Sequence, residues 1–223
     1  MYKDLKVTVI IPCLNEESGI GRVLKQMPSY VDEVIVVDNG STDRTADVAR
    51  SLGALVIRED VRGYGRSYKK GFAKATGDVI VTLDGDHSYP VDGISYLLEA
   101  FLHLRVDFLN ASRFPVRDPE AMSFKHKAGN LVLSLALSLL FLRWVRDSQS
   151  GMWVFRRKIL KDLVLKSNTP LSQELKIEAC HFAGCPWKEV PIEYRPRMGK
   201  VKLGGWKVGM TNALHLIGKR IVR

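Results

Sequence analysis

Two aspartates separated by one glycine follow an apolar run in "VTLDGDHSYP", Val81–Pro90. The carboxylates of Asp84 and Asp86 repel each other, and each costs free energy to remove from water. A hard divalent cation shared with phosphate oxygens would relieve that repulsion. The alternative is an aspartate-rich surface turn, which has no need to follow a fully apolar strand directly. The placement favours a metal site at Asp84 and Asp86.

Further acidic residues follow the first two predicted strands. "PCLNEE" places Glu16 and Glu17 after the first strand, and Asp38 ends the second in "VVDNGSTDRT". Ligands of open α/β sheets bind outside the carboxyl ends of the strands. This edge therefore gathers acids in a chain whose net charge is +10. For Asp38 two interpretations stand equally: a turn built on Asn39 and Gly40, or a hydrogen bond to a base or ribose.

The first half of the chain alternates between apolar strands and helical segments. Predicted strands are Lys6–Pro12, Glu33–Asp38, Ala54–Arg58 and Asp78–Asp84, and predicted helices are Ser18–Met27, Thr42–Leu52 and Gly65–Ala75. Strands rich in valine and isoleucine, without polar alternation, are typical of parallel sheets covered on both faces. The pattern predicts an α/β fold with a mostly parallel central sheet flanked by helices.

The second half is less regular. It contains predicted helices at Gly93–Leu104, Leu131–Trp144, Ser172–Ala183 and Gly205–Val222, and predicted strands at Asp107–Ala111, Gly151–Arg157 and Trp187–Arg197. Ser172 is the expected N-cap of its helix. Because no repeat or low-complexity linker interrupts the chain, residues 1–223 are expected to form a single domain.

Composition limits the partners and the compartment. Hydrophobic residues make up 46% of the chain, and its net charge of +10 favours an anionic partner such as a phosphate-rich ligand or an acidic membrane. No nucleic-acid-binding motif appears, so we expect no nucleic-acid partner. Cys13, Cys180 and Cys185 form no disulfide or zinc pattern, and the N-terminus lacks a signal-peptide segment. These features favour the cytoplasm.

Four segments carry a resemblance to a known family: "VTVIIPCLNEE", "DEVIVVDNGSTDRTADVA", "GRSYKKGFAKATGDVIVTLDGDHSYP" and "DSQSGMWVFRRKIL". Together they resemble family 2 glycosyltransferases of the GT-A, Rossmann-like fold, and among these the dolichyl-phosphate mannose and polyprenyl-phosphate sugar synthases. The resemblance implies an Mg²⁺- or Mn²⁺-dependent, inverting transfer of a hexose. The donor would be GDP-mannose, UDP-glucose or UDP-GlcNAc, and the acceptor dolichyl or polyprenyl phosphate.

The resemblance also implies roles for individual residues. The nucleotide sugar would contact Pro12, Leu14, Glu16, Asp38, Asp84 and Lys202. The metal would be held by Asp84, Asp86 and Ser88, the last standing where the family often has glutamine. Asp86, Arg197 and Glu174 would be catalytic, with Arg197 and Lys202 in "RPRMGKVKL" contacting the diphosphate. The candidates for the acceptor phosphate are Arg113, Lys125 and Lys127.

A lipid acceptor requires contact with a membrane. The apolar segment Leu131–Trp144 is shorter than the roughly 20 residues of a membrane span. It lies within residues 125–146, and the tail 205–223 carries Trp206, Met210, Leu214, Ile217 and Ile221 on one helical stripe. Either segment could be a core helix or lie in the membrane interface at the cytoplasmic face. A separate membrane-spanning subunit also stays open.

Two rival functions remain. A family 2 glycosyltransferase with a saccharide acceptor would need a general base, for which Glu174 is the candidate. A nucleotide-sugar-binding subunit without activity is the second, and the intact pair Asp84 and Asp86 argues against it.

Overall fold

The apolar runs of the first half form four strands that alternate with three helices. In the computed structural model, which describes residues 1–168, 170–199 and 206–221 (for 206–208 the backbone alone), β1 is fully buried. The elements are β1 Val7–Cys13, α1 Glu17–Lys25, β2 Glu33–Asp38, α2 Thr45–Ser51, β3 Leu55–Arg58, α3 Tyr64–Lys74 and β4 Val79–Thr82. They agree with the predicted alternation.

The second half adds three strands and four helices. They are α4 Ile94–His103, β5 Phe108–Ser112, α5 Phe124–Phe141, β6 Trp153–Arg156, α6 Leu171–Ile177, β7 Trp187–Pro191 and α7 Trp206–Ile221. A π-helical turn, Glu178–Phe182, continues α6.

The seven strands form one sheet in the order β3-β2-β1-β4-β6-β5-β7. β1 lies between β2 and β4 and is parallel to both, so their carboxyl ends meet at one edge. β6 is antiparallel to β4 and β5, so the segment that precedes it reaches the same edge. The predicted mostly parallel α/β sheet is confirmed, and it brings the acidic turns together.

Helices cover both faces of the sheet. Along β1, Val9 and Ile11 join the core beneath α1 and α4, whereas Ile10 joins the core beneath α3 and α6. A third apolar cluster, around Leu137 and Leu216, joins α5 to α7. Helix α7 therefore packs on the domain through one of its sides.

Three predicted boundaries are wrong. α5 begins at Phe124, seven residues before Leu131, because the Ser123 hydroxyl caps it by accepting the His126 N–H. Ser172 does not cap α6, since the helix begins at Leu171 and Pro170 occupies the N-cap position. β7 ends at Pro191 rather than Arg197, because its partner strand β5 ends at Ser112, the residue opposite Pro191.

Candidate functional site

A cavity of about 350 Å³ opens at the carboxyl ends of β1 and β4. Its walls include Pro12 at the end of β1, Leu14 and Glu16 from the β1–α1 turn, Asp84 and Asp86 from the turn after β4, and Arg197. Residues predicted to hold a nucleotide sugar are therefore brought to one place from three separate segments. We call it the donor cavity.

Asp84 lies on the wall of this cavity and is half-buried. Burial, reinforced by the charge of Asp86, raises the pKa of Asp84 to about 7. The hydroxyl of Tyr64 donates a hydrogen bond to Asp84 Oδ1 at 3.2 Å and offsets part of that increase. Gly85 is required between the aspartates, because a Cβ there would lie 2.5 Å from Cys13 Sγ. The pair is thus packed against β1 and is not a surface turn.

Asp86 makes contacts with both of its oxygens. Oδ1 accepts hydrogen bonds from the backbone N–H (3.0 Å) and hydroxyl (2.6 Å) of Ser88, and Oδ2 lies 2.9 Å from Arg197 Nη2. Arg197 is also 3.5 Å from Glu16 Oε1. Ser88 is fully buried and does not line the cavity. In this arrangement Ser88 orients Asp86, and its role as a metal ligand stays a prediction.

The carboxylates of Asp84 and Asp86 fit a cation that arrives together with a diphosphate. Within the part of the chain that the structure describes, no three or more His, Cys, Asp or Glu residues are grouped to hold a metal by themselves. Mg²⁺ in proteins is typically bound by one or two carboxylates together with substrate phosphates and water. Asp84 and Asp86 supply those two carboxylates on the cavity wall.

A second cavity, of about 500 Å³, adjoins the first. Tyr64, Asp84 and Arg197 line both cavities, so they mark the junction between them. Arg113 lies on the wall of the second cavity, with Nε and Nη2 each donating at 2.8 Å to the buried carboxylate of Asp147. We call this space the acceptor cavity.

The Arg113–Asp147 pair is buried on the acceptor cavity wall. Burial alone would raise the pKa of Asp147, but the charge and hydrogen bonds of Arg113 lower it. The guanidinium of Arg113 also lies 5.4 Å from the ring centroid of Tyr194. Arg113 is therefore fixed in place as a rigid cationic group.

The two predicted acceptor lysines lie outside the acceptor cavity. Lys125 is exposed and Lys127 is half-buried on the first turn of α5, and neither lines the cavity. Ser123 and His126, from the same turn, do line it. The start of α5 therefore reaches the cavity through side chains other than the two predicted lysines.

Glu174 does not line either cavity. Its carboxylate, 1% exposed, accepts hydrogen bonds from the N–H groups of Lys166 (3.1 Å) and Ser167 (2.8 Å) and pairs with Lys219 at 3.1 Å. Burial raises the pKa of Glu174, but these partners together lower it. These contacts of Glu174 fix a loop and α7, and its catalytic role stays a prediction.

Asp38 forms a turn, as one of its two interpretations predicted. Its Oδ1 accepts the N–H of Ser41 at 3.0 Å, and the neighbouring Asn39, rather than Asp38, lines the donor cavity. Contact of Asp38 with a base or ribose stays a prediction. Lys202 lies outside the described residues.

Sequence reasoning missed Asn39, Tyr64 and Asn212, which all line a cavity. Asn39 fixes the loop before α3, since its amide donates to Glu59 O (3.0 Å) and Val61 O (2.9 Å). The position of Asn39 immediately after β2 was a usable signal. Tyr64 and Asn212 lie on helices, where the local pattern gives no such signal.

Helices α5 and α7 expose apolar side chains on their outer sides. The exposed members are Leu131, Val132, Leu135, Leu139, Leu142, Trp144, Met210, Leu214, Ile217 and Ile221. We call them the α5–α7 apolar surface. The inner sides of the same helices are buried through Leu137, Phe141 and Leu216. The core interpretation is therefore confirmed for the inner side of each helix, and contact of the outer side with a membrane stays a prediction. Among the residues that the structure describes, no helix is both long enough and apolar enough to span a bilayer.

The sheet order, with acidic turns at the carboxyl ends of its strands, matches the GT-A fold of glycosyltransferases. The chain belongs to glycosyl transferase family 2, whose family model matches residues 8–164. The predicted family and fold are confirmed.

Two relatives come from Haloferax volcanii. A dolichyl-phosphate hexose transferase is 35% identical over 225 residues, covering 100% of this chain and 94% of that protein. A low-salt glycan biosynthesis hexosyltransferase, Agl6, is 32% identical and covers 90% of this chain and 51% of that protein.

A solved structure with the same fold is glucosyl-3-phosphoglycerate synthase from Mycobacterium tuberculosis, in complex with Mn²⁺, UDP and glucosyl-3-phosphoglycerate. It superimposes with a TM-score of 0.77 at 21% identity, covering 97% of this chain and 80% of that one. At this identity the likeness shows the fold.

Proposed function

We propose that the protein transfers a hexose from a nucleoside diphosphate sugar to a polyprenyl phosphate, inverting the anomeric carbon. The observation that carries the proposal is the junction of two cavities at Tyr64, Asp84 and Arg197. A donor in one cavity and a phosphate in the other would meet there. The full-length similarity to a dolichyl-phosphate hexose transferase supports a lipid phosphate as the acceptor.

On the donor side, the main task is to stabilise the leaving diphosphate. An Mg²⁺ or Mn²⁺ held by Asp84 and Asp86 would neutralise phosphate charge, in line with the Mn²⁺ and UDP of the solved M. tuberculosis enzyme. Arg197, on the wall of both cavities, is placed to donate to the diphosphate as its charge develops. Ser88 keeps Asp86 in position through two hydrogen bonds.

On the acceptor side, the nucleophile needs cations more than it needs a base. A phosphate monoester has a second pKa of about 6, so at neutral pH it is mostly a dianion. Arg113 offers a fixed cation on the cavity wall, although Asp147 neutralises part of its charge. Glu174, the candidate base for a saccharide acceptor, is away from both cavities, which weakens that rival.

The lipid acceptor would approach from a membrane on the α5–α7 apolar surface. Exposed cations border that surface at Lys125, Arg143, Arg146 and Arg220, where they could contact anionic headgroups. The first turn of α5 lines the acceptor cavity, so the surface and the cavity are adjacent. We place the protein at the cytoplasmic face of the membrane, alone or with a membrane-spanning subunit.

A transfer assay with two kinds of acceptor tests the proposal. Purified protein, MgCl₂ or MnCl₂ and labelled UDP-glucose, UDP-GlcNAc or GDP-mannose are incubated with polyprenyl phosphate in detergent or with 3-phosphoglycerate. We expect label to enter the organic phase with one donor, and Asp86→Asn to remove that signal. Transfer to 3-phosphoglycerate alone would assign a soluble acceptor. Donor binding without turnover on either acceptor would favour the non-catalytic binding subunit.

A further inference from the structure

Asn212 lines the acceptor cavity and carries a buried acceptor oxygen. The residue lies on α7 and is only 6% exposed. Its amide nitrogen donates to Gln149 Oε1 at 2.8 Å. Its amide oxygen, Oδ1, is buried and accepts no hydrogen bond from the described residues. A buried acceptor without a donor is destabilising, so this position is incomplete until a donor reaches it.

The orientation of the Asn212 amide follows from a chain of hydrogen bonds that begins in the core. Ser134 Oγ contacts Ser148 Oγ at 3.1 Å, and Gln149 Nε2 donates to Ser148 Oγ at 2.8 Å. Gln149 turns its oxygen toward Asn212 in this arrangement, and the Asn212 amide donates to it with its nitrogen. Oδ1 is left for a ligand.

The chemistry of the possible ligands selects one of them. A phosphate dianion and a prenyl chain have no hydrogen to donate to an amide oxygen, whereas every hydroxyl of a hexose has one. The hexose must lie at the junction of the two cavities, since it links the diphosphate to the incoming phosphate. Asn212 and Asp84 line the same cavity. Asn212 thus lines the space that borders the junction.

We infer that Asn212 Oδ1 accepts a hydrogen bond from a hydroxyl of the transferred hexose and that Asn212 is a sugar-recognition residue. The inference rests on the proposed hexose transfer and adds a residue from α7 to it. Helix α7 also carries part of the α5–α7 apolar surface, so a single helix serves both membrane contact and sugar recognition.

Equilibrium binding tests the inference without requiring turnover. Titration calorimetry compares UDP with UDP-glucose and UDP-GlcNAc, and GDP with GDP-mannose, on wild type and Asn212→Ala. We expect Asn212→Ala to weaken the best nucleotide sugar by about five- to tenfold and to leave the matching nucleoside diphosphate unchanged. Asn168→Ala, at an exposed asparagine outside both cavities, is the control and should leave the sugar contribution intact.

Asn212→Asp keeps the acceptor oxygen, and it substitutes for the alanine variant if circular dichroism shows that Asn212→Ala is unfolded. It should retain more of the sugar contribution than any variant without that oxygen, such as Asn212→Leu. Equal losses for nucleotide and nucleotide sugar, or no loss, would overturn the inference. So would a wild type that binds no nucleotide sugar of the panel more tightly than the nucleotide. Sugar-dependent binding lost in Asn212→Ala, without transfer to lipid, would instead support Asn212 and reject the proposed acceptor.

Discussion

Arg197 Nη2 lies 2.9 Å from Asp86 Oδ2 and 3.5 Å from Glu16 Oε1. One guanidinium thus bridges two acidic groups of the donor cavity that come from different segments of the chain. These carboxylates and an incoming diphosphate would compete for the same cation. Arg197 is therefore positioned before the donor binds and need not be recruited from solvent.

Arg197→Ala should lower kcat by about a hundredfold, because the variant loses a donor that stabilises charge on the leaving group. Initial rates at saturating nucleotide sugar measure the effect. Arg195→Ala is the matched control, since Arg195 pairs with Asp92 outside the donor and acceptor cavities. A wild-type kcat in Arg197→Ala would remove the residue from the mechanism.

Asp86→Asn should lower the transfer rate at least a hundredfold, because an amide neither binds a divalent cation well nor balances Arg197. Rates measured across a range of MnCl₂ concentrations, and again after chelation, should show that wild-type activity needs the cation. Asp92→Asn changes an exposed aspartate and serves as the control. Undiminished turnover by Asp86→Asn in the presence of EDTA would contradict metal dependence.

Lys219→Met should destabilise the fold by about 3–5 kcal/mol, because it leaves two buried carboxylates without their cation. Lys219 Nζ lies 3.1 Å from Glu174 and 2.7 Å from Glu178, and both acids are buried. Urea unfolding followed by circular dichroism measures the change. The neighbouring Arg220 is exposed, so Arg220→Met should change the free energy of unfolding by less than about 0.5 kcal/mol. Equal effects of the two substitutions would show that α7 is not anchored through Lys219.

Lys176 should make stability depend on pH. Its Nζ is buried and donates to the carbonyls of Ser148 (3.1 Å) and Ser150 (2.9 Å). Burial lowers the pKa of Lys176 to about 7, although the negative charges of Asp147 and Glu189 act to raise it. Between that value and the unfolded pKa of about 10.4, the unfolded chain binds a proton that the folded protein does not. The contribution of Lys176 to the free energy of unfolding therefore rises as pH rises from about 7 to about 10.

Urea titrations of wild type and Lys176→Met at pH 7, 8 and 9 isolate this contribution. The difference between the two free energies of unfolding should shift in favour of wild type by up to about 1.4 kcal/mol for each pH unit. Lys158→Met, at an exposed lysine, should show no such trend. A constant difference between wild type and Lys176→Met would show that Lys176 stays protonated in the fold.

Leu139→Glu and Leu214→Glu should each weaken binding to anionic vesicles without unfolding the protein. Both side chains lie on the α5–α7 apolar surface and are 67% and 64% exposed, so a carboxylate there stays in water until a membrane approaches. Vesicle sedimentation at low and high salt separates the electrostatic from the apolar part. Leu55→Glu is the control, because it alters an exposed leucine on β3, at the opposite edge of the sheet from β7.

Binding of Leu55→Glu should match wild type. If Leu139→Glu and Leu214→Glu also match it, the membrane does not contact this surface. Single substitutions test this surface better than a deletion of α7 would, because α7 also contributes the buried Leu216 to the core.

Local sequence signals were sufficient for the sheet and the Asp84–Asp86 turn. Buried parallel strands are continuous apolar runs, so each is visible in a few residues. The first turn of α5 was missed because residues 124–130 are largely polar and the cap at Ser123 lies upstream of the apolar run. The extent of β7 depends on where β5 ends, which no local pattern contains.

The site itself was predicted only where motifs supplied it. Glu174 was predicted to be catalytic because it is an acid in a family-like segment, yet its carboxylate pairs with Lys219, 45 residues away. Asn212 and Gln149 meet across 63 residues, and the role of each depends on the other. Such pairings are tertiary, so composition and periodicity do not contain them.

The interleaved sheet order also determines how the chain can be divided. Strands β1 to β4 are neighbours, but β5 pairs only with β6 and β7, which both follow it by a long stretch of chain. A cut between Pro115 and Ser123 would leave β5 on a fragment without its partners and would expose one edge of β4. Neither fragment would be a folding unit, and each would present unpaired strand edges that favour aggregation. Assembly of the sheet must therefore wait for the last third of the chain, which makes productive folding a late event during synthesis.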